Sequence, residues 1–351
     1  MLDGFRLGAY IVSPERTGGR RSASQTTSQT ASRSASQTAS RSASQTAAVQ
    51  RAIEPLTLGT GECVGAPDGI CVREPGVKRV VFAIASAKSD SSDSAKSDSA
   101  DFAEALKQTA AILGCNSQYC VLKHPRVRNA ANIAPDLATF KVAGPRNSTA
   151  WLSNDEIDRT LELWRLEFAD FYHCPFAMAD FEKNGDAFAK VDLPELYRRG
   201  RRTFGCVHNT DTSAGPGDHW VAVFVDMRAP IVKPTTPVKD DTTSKGSPTS
   251  NEAISGWTIE YFNSAGRPPA APVTRWQERA RAALLQISSA VETFAVTSVA
   301  HQRSRTECGP YSLYYIRRRL EGAPISTFAS DPIPDAAMIE FRRHLFRGPA
   351  E

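Results

Sequence analysis

The chain has 351 residues, of which 41% are apolar, and its formal net charge is +4. This length admits two average domains, but long compositionally biased segments reduce the part that can fold, so we expect one sizeable core with an accessory region. The longest apolar run is too short to cross a bilayer, and the N-terminus lacks the zones of a signal peptide, which argues against a membrane-spanning or secreted protein.

The chain begins with a low-complexity tail. From Arg21 to Ala47 the sequence repeats RSASQTAS with variations, a composition that has almost nothing to bury. Such a segment cannot offset the entropy that a chain loses on folding. We therefore predict that residues 1–52 form a disordered tail.

A mostly helical accessory domain is predicted next, over residues 53–149. It contains the strand-like run VKRVVFAIA, which is followed at 86–101 by an insertion rich in Ser, Asp and Lys. We expect this insertion to loop out between structural elements. Residues Ala103 to Leu113 then have the periodicity of a helix.

Four of the cysteines, Cys63, Cys71, Cys115 and Cys120, lie in this accessory domain. The chain has seven cysteines, an odd number without the dense spacing of a small secreted domain, so reduced thiols are expected. A four-thiolate zinc site is the alternative, but seven and then four intervening residues fit the usual C-x2-C pairs poorly. We predict packed free thiols, no metal and no cofactor.

A second folded domain is predicted over residues 150–351. Its first helix begins in WLSNDEID, where Ser153 and Glu156 can form a capping box that satisfies free backbone amides. Two runs with the β-branched and aromatic content of buried strands follow, HWVAVFV and WTIEYF. The segment between these runs, 229–256, is rich in Pro and small polar residues and is predicted to be a disordered surface insertion.

A cysteine stands at the start of the next predicted helix, which runs from Gly309 to Leu320 with Pro310 suited to its first turn. Unpaired amides and the helix dipole at this position favour negative charge, so Cys308 is placed to form a thiolate, the nucleophilic form. A lone cysteine before a helix is nevertheless more often an inert buried thiol. The prediction of a nucleophile therefore requires partner residues.

A cysteine nucleophile needs a base and a group that orients the base. His219 opens the first strand and Asn263 closes the next, and the end of a strand lies beside the start of its antiparallel neighbour. We therefore expect the two side chains to meet, with the Asn263 amide orienting the imidazole without adding charge. The alternative for Asn263 is a simple turn residue, and the other five histidines are interpreted as surface or satisfied residues.

Together the stretches GDHWVAVFVD, YFNSAG and HQRSRTECGPYSLYYI resemble the signature of the ubiquitin-like-protein protease superfamily, which includes adenovirus protease and SUMO-specific proteases. The chain is most similar to the branch encoded by nucleocytoplasmic large DNA viruses, whose members carry an added N-terminal domain. The resemblance implies an α+β fold with a papain-like, adenovirus-protease-like core, in which helices flank a central mixed sheet.

The resemblance also implies roles for individual residues. Cys308 would attack the substrate carbonyl, His219 would act as base and then as acid, and Asn263 would orient His219. Gln302 would donate its side-chain amide to the developing oxyanion. Three further residues are predicted at the substrate groove: Trp220 over the cleft, and Trp151 and Asn154 along its edge.

The implied function is a cysteine endopeptidase that cleaves after glycine, in Gly-Gly-X sequences, and processes viral structural polyproteins during virion maturation. A SUMO or ubiquitin-like-protein deconjugating protease is the first alternative. The second is an inactive scaffold that binds a modifier or nucleic acid through two arginine clusters. We expect a monomer in the host cytoplasm or the virion, without membrane contact, and leave open a nucleic-acid or peptide activator. The clusters are Arg198, Arg199, Arg201 and Arg202, and Arg317, Arg318 and Arg319.

Overall fold

The structure is a computed structural model, and not all of the chain is described in it. The described main part of the chain belongs to one compact unit, Ala47–Glu351. Most of the predicted tail and insertions lies outside the described residues, and within these residues no helix has both the length and the apolar character needed to span a membrane. The described ranges are 43–59, 61–64, 70–72, 74–85, 99–128, 133–147, 149–229 and 256–348.

The first described element is a helix, α1, over residues 43–53. The predicted disordered tail extends to residue 52, so its last part is helical. Val49 and Ile53 are partly buried against the main core, together with the fully buried Ala52. The helix forms here because the repeats give way to apolar residues at spacings of three and four, which gives it a face to bury.

The accessory part that follows is helical and packs around its own small core. The predicted strand at VKRVVFAIA is wrong, because these residues belong to helix α2. Val77, Val80 and Ile84 are buried at helical spacing, and Pro75 occupies the first turn. The helices are α2 (Glu74–Ala85), α3 (Ser99–Leu113), α4 (Gln118–Lys123), α5 (Pro125–Arg128) and α6 (Ala134–Leu137).

The four accessory cysteines are paired, contrary to the prediction of free thiols. Disulfides join Cys63 to Cys71 and Cys115 to Cys120, with Cα–Cα distances of 5.6 and 5.5 Å. The partners are only eight and five residues apart in sequence. Each bridge therefore closes a short loop beside the accessory core, a local geometry that the count and spacing of cysteines did not reveal.

A five-stranded mixed sheet forms the centre of the main domain, with strand order β1-β2-β3-β4-β5. The outer pairs β1–β2 and β4–β5 are parallel and the inner pairs are antiparallel. Both predicted strands are confirmed, as β3 and β4. The strands are β1 (Phe171–His173), β2 (Thr203–Asn209), β3 (Trp220–Asp226), β4 (Trp257–Phe262) and β5 (Val291–Val296).

Helices cover both faces of the sheet, which explains the continuous apolar runs of its inner strands. On β3, Ala222 and Phe224 face one core and Val221 and Val223 face the other. The first core is covered by α7 (Asn154–Glu167), α12 (Cys308–Leu320), a 3-10 helix (Ile325–Phe328) and α13 (Asp335–Leu345). The second is covered by α8 (Phe181–Asn184), α9 (Ala187–Lys190), α10 (Leu193–Arg198) and α11 (Ala271–Leu284). The fold is thus α+β, as predicted.

Helix α12 runs along the sheet and is tied to β4 by a buried ion pair. The Arg319 guanidinium donates to both carboxylate oxygens of Glu260, at 2.8 and 2.7 Å, and the Tyr315 hydroxyl donates to the same carboxylate at 2.7 Å. Glu260 is completely buried. This pair joins the strand that precedes Asn263 to the helix that begins at Cys308.

We expect the substitution Arg319→Met to lower the free energy of unfolding by about 3–5 kcal/mol, because it leaves the buried Glu260 carboxylate without its counter-charge. Urea denaturation followed by circular dichroism measures the change. The matched control is Arg343→Met, since Arg343 is exposed and pairs with Glu340 only at the surface. Equal effects of the two substitutions would contradict the expectation.

Candidate active site

Cys308 is the first residue of α12, and Glu307 precedes it as the N-cap. The sulfur is buried and accepts hydrogen bonds from the backbone amides of Trp220 and Gly309. Burial raises the pKa of the Cys308 thiol, these two amides and the backbone amide of Cys308 itself lower it, and the Glu307 carboxylate raises it, with a net upward shift. The helix start therefore does not by itself produce a thiolate, and a base is required.

His219 and Asn263 meet as the strand order predicts. His219 precedes β3, Asn263 follows β4, and the two side chains are joined at 2.9 Å between Nε2 and Oδ1. Burial lowers the pKa of His219, the Asn263 hydrogen bond and Asp218 raise it, and Arg267 lowers it, with a net downward shift. The imidazole is thus neutral at neutral pH.

The orientation of the Asn263 amide determines the tautomer of His219. The Asn263 Oδ1 accepts from the backbone N–H of Ala265 at 2.9 Å, so this atom is the oxygen. An oxygen facing His219 Nε2 requires that Nε2 carries the proton. The other ring nitrogen, Nδ1, is then unprotonated and is the atom that can accept a proton from a nucleophile.

Gln302 lies in the loop before α12 and is anchored to the end of β4. Its backbone N–H donates to the Ser264 carbonyl at 2.9 Å, and its side-chain Oε1 accepts from the Ser264 hydroxyl at 2.8 Å. Its Nε2 donates to the Ser304 carbonyl at 3.0 Å. Because a primary amide has two N–H groups, one remains for a further acceptor.

Trp220 and Leu152 connect the start of α7 to the start of α12. The indole N–H of Trp220 donates to the Leu152 carbonyl at 3.0 Å, and a Cβ placed on Gly309 would lie 3.1 Å from the Leu152 Cβ. Trp151 precedes Leu152 and is 50% exposed, which is unusual for a tryptophan. Asn154 is exposed at the first position of α7, and among the described contacts none joins it directly to Cys308 or His219.

A buried ion pair that the sequence did not predict lies directly before Cys308. The Arg342 Nε donates to the Glu307 carboxylate at 2.9 Å, and Arg342 Nη2 donates to the Ala150 carbonyl at 2.8 Å. The guanidinium compensates the Glu307 charge that opposes ionisation of the sulfur. It also fixes the chain that leads to Trp151.

The predicted arginine clusters are partly engaged by acidic groups, and no metal site is found among the described residues. In the described ranges no cluster of three or more His, Cys, Asp or Glu side chains could hold a metal ion. The arginines of α12 are not a free basic surface, because Arg317 is fully buried against Glu167 and Glu321. The other predicted cluster is partly engaged as well, with Arg198 and Arg199 paired to Glu195.

Comparison with known proteins places the chain in a family. Residues 209–348 match the C-terminal catalytic domain of the Ulp1 protease family. A cysteine protease from a Malawi tick isolate of African swine fever virus is 44% identical over 259 residues, which span 68% of this chain and 86% of that protein. A protein from a Kenyan pig isolate, named a SUMO-1 cysteine protease, is 43% identical over the same length and with the same shares of both chains.

Solved structures agree with this assignment. A crystal structure of the African swine fever virus protease superposes with a TM-score of 0.65 at 36% identity and covers 85% of this chain and 99% of its own. A thiol protease of Acanthamoeba polyphaga mimivirus is 22% identical over 210 residues, which span 60% of this chain and 61% of that protein. The names of these relatives favour a protease over the alternative of an inactive scaffold. The chain belongs to the Ulp1 protease family and is a cysteine protease of its large-DNA-virus branch.

Proposed function

We propose that this cysteine protease is an endopeptidase that hydrolyses peptide bonds after glycine in Gly-Gly-X sequences, with Cys308 as nucleophile and His219 as base. The observation that carries the proposal is the pair of contacts around His219. Asn263 orients the ring from one side, and the amide of the next residue, Trp220, donates to the Cys308 sulfur. The Cys308 sulfur therefore lies beside the backbone of the residue that directly follows His219.

The reaction begins with transfer of the Cys308 thiol proton to Nδ1 of His219, and the sulfur then bonds to the substrate carbonyl carbon. The negative oxygen that results accepts from the remaining N–H of the Gln302 side chain and from the Cys308 backbone N–H. His219 gives its proton to the leaving amine as the C–N bond breaks, which leaves a thioester. Water, deprotonated by His219, attacks the thioester and releases the carboxylic acid and the thiol.

The preference for glycine is proposed to come from aromatic walls that narrow the cleft. Trp220 is held against the α7 start by its hydrogen bond to Leu152, and the half-exposed Trp151 lies beside that anchor. We propose that these two indole rings admit a substrate backbone and exclude a side chain on the residue before the cleaved bond, although Trp220 is itself 7% exposed and packs into the core. Asn154, exposed at the start of α7, is proposed to hydrogen-bond the substrate backbone at the edge of the groove.

The proposal is tested by labelling the protein with a peptide vinyl sulfone that ends in Gly-Gly and mapping the modified residue by mass spectrometry. We expect a single adduct on Cys308, although Cys174 and Cys206 are also unpaired. A matched reagent ending in Ala-Ala should react far more slowly. Modification of another cysteine would refute the catalytic assignment, and equal rates with the two reagents would refute the glycine preference.

The pH profile of kcat/KM is expected to be a broad bell. Burial holds the pKa of His219 below its usual 6.5, so the base stays unprotonated and activity persists on the acid side of that value. Burial holds the pKa of Cys308 above its usual 9.0, so the thiol keeps its proton for transfer on the alkaline side. Initial rates at low substrate concentration between pH 5 and 10 measure the two limbs. A plateau of kcat/KM narrower than the interval between the usual pKa values of the two groups, 6.5 and 9.0, would contradict this expectation.

The substrates are proposed to be viral structural polyproteins cut during virion maturation, by a monomer that acts in the host cytoplasm or the virion. The second candidate, removal of SUMO or ubiquitin-like modifiers, is favoured by one observation, the name SUMO-1 cysteine protease given to a relative that is 43% identical. Gly-Gly-X peptides and fluorogenic SUMO and ubiquitin conjugates, assayed side by side, separate the two. Cleavage of the conjugates alone would refute the polyprotein function.

A requirement for an activator is tested in the same assay. Adding DNA or a polyprotein-derived peptide should leave the rate unchanged if the described site is already competent, as the His219–Asn263 contact suggests. Activation by DNA that disappears as salt is raised would instead identify a nucleic-acid partner. Sedimentation velocity at the assay concentration tests the expected monomer.

A further inference from the structure

The amide of Asn263 has a third partner beyond His219 and Ala265. Its Nδ2 donates to the hydroxyl oxygen of Tyr261 at 3.1 Å. Tyr261 lies two residues earlier on β4 and is only 2% exposed, so this hydroxyl contacts the protein interior and not bulk water. The group that orients the base is thus itself held by a buried phenol.

A hydroxyl can stabilise either orientation of an amide, because it both donates and accepts. If its proton were free to turn, Tyr261 would serve the flipped amide as well, in which the Asn263 oxygen faces the phenol and Nδ2 faces His219. The hydroxyl selects the productive orientation only if its own proton is donated elsewhere. The Ala265 backbone N–H already favours the productive orientation, and a second acceptor near Tyr261 would strengthen that preference.

A small, partly open cavity beside Tyr261 offers such an acceptor. The cavity measures about 30 Å³ and is lined by Tyr261, His208 and Thr210, among others. His208 is 3% exposed, and its Nδ1 has no hydrogen-bond partner within the described part of the chain. Burial lowers the pKa of His208 to about 4, so the ring is neutral at neutral pH and has an unprotonated nitrogen that can accept. A volume of this size holds one water molecule.

We propose that Tyr261 is a positioning residue of the catalytic site. Its hydroxyl accepts from Asn263 Nδ2 and donates to a water molecule bound in the cavity by His208, and this directs Asn263 Oδ1 to His219. The inference rests on the proposed function, because it assigns Tyr261 a role through Asn263. In this arrangement, hydrogen bonds link the water in the cavity through Tyr261 and Asn263 to His219.

The test is a double-mutant cycle measured with a Gly-Gly-X peptide. We expect Tyr261→Phe to lower kcat about tenfold with little change in KM, which corresponds to the loss of one orienting hydrogen bond. In the Asn263→Ala background the same substitution should change kcat less than about twofold, because the side-chain amide that Tyr261 orients is absent. His208→Phe, which removes the acceptor but keeps an aromatic ring, should lower kcat by a smaller factor, about threefold.

The pH profile provides a readout that a purely structural role would not change. The Asn263 hydrogen bond raises the pKa of His219, so its loss in Tyr261→Phe should move the acid limb to lower pH. Asp218 and Arg267, which also act on His219, are unchanged in the variant. The control is Tyr314→Phe, which loses a buried hydrogen bond to the Ala52 carbonyl and should keep both kcat and the acid limb.

The outcomes separate the inference from the proposed function. Equal loss from Tyr261→Phe in both backgrounds, or no loss in either, would overturn the positioning role. Full activity of Asn263→Ala alone would instead refute the catalytic assignment of Asn263. A crystal structure of the unsubstituted protein with no ordered water beside His208 would remove the acceptor that we assign to the Tyr261 hydroxyl and would also overturn the inference.

Discussion

Replacing Cys308 with Ala is expected to lower kcat/KM for a Gly-Gly-X peptide by at least about 10⁴-fold, because the attacking atom is lost. The substitution should leave the fold intact, since Gly309 and Pro310, which shape the first turn of α12, are unchanged. Binding of a labelled Gly-Gly peptide, measured by fluorescence anisotropy, should persist. The combination of lost turnover and retained binding is the result that a covalent mechanism requires.

The control for this experiment is Cys206→Ala. Cys206 is a fully buried unpaired thiol on β2, and burial raises its pKa. Its removal should lower the melting temperature slightly while kcat stays unchanged. If Cys308→Ala retained more than about a tenth of the activity, a sulfur at that position could not be the nucleophile.

Elements of the main domain could be predicted from the sequence where the local propensity of a segment agrees with the structure that its packing requires. The runs HWVAVFV and WTIEYF are buried on both faces, so their composition alone indicates strands, and antiparallel pairing then brings His219 to Asn263. The capping box at Ser153 and Glu156 is confirmed for the same reason, since it is a purely local arrangement.

Prediction was less reliable where tertiary packing decides. VKRVVFAIA is β-branched and apolar, which favours a strand, yet three buried positions at helical spacing make it the packed face of α2. The disulfides depend on the approach of residues 63 to 71 and 115 to 120, a property of the folded loops. Arg317 looked like part of a basic surface, but its acidic partner Glu167 is 150 residues away in sequence.

The thiol of Cys308 shows how two correct physical arguments can point in opposite directions. The start of a helix favours a thiolate, as the sequence suggests, and the amides of Trp220 and Gly309 act in that sense. Burial acts in the opposite sense and is the largest effect, so the pKa is raised. Burial also lowers the pKa of His219, so both groups are neutral at rest, and the proposed mechanism requires the proton to move from the thiol to the imidazole as the reaction begins.

Substitution of Gln302 by Ala is expected to lower kcat about 10²–10³-fold while KM changes little, because an oxyanion donor acts in the transition state and not in substrate binding. The Ser264 hydroxyl holds the side-chain oxygen of Gln302, and the Ser304 carbonyl holds one of its two side-chain N–H groups. The direction of the remaining N–H is thereby fixed. Steady-state kinetics on a Gly-Gly-X peptide measure the effect.

Two further variants identify the cause of that loss. Gln302→Glu has nearly the same shape and can still accept from the Ser264 hydroxyl, but it has no N–H to donate, so it should lose as much kcat as the alanine variant. Gln286→Ala, in the exposed turn that follows α11, should have no effect. Activity of Gln302→Glu close to that of the unsubstituted enzyme would show that Gln302 supports the loop and donates nothing to the oxyanion.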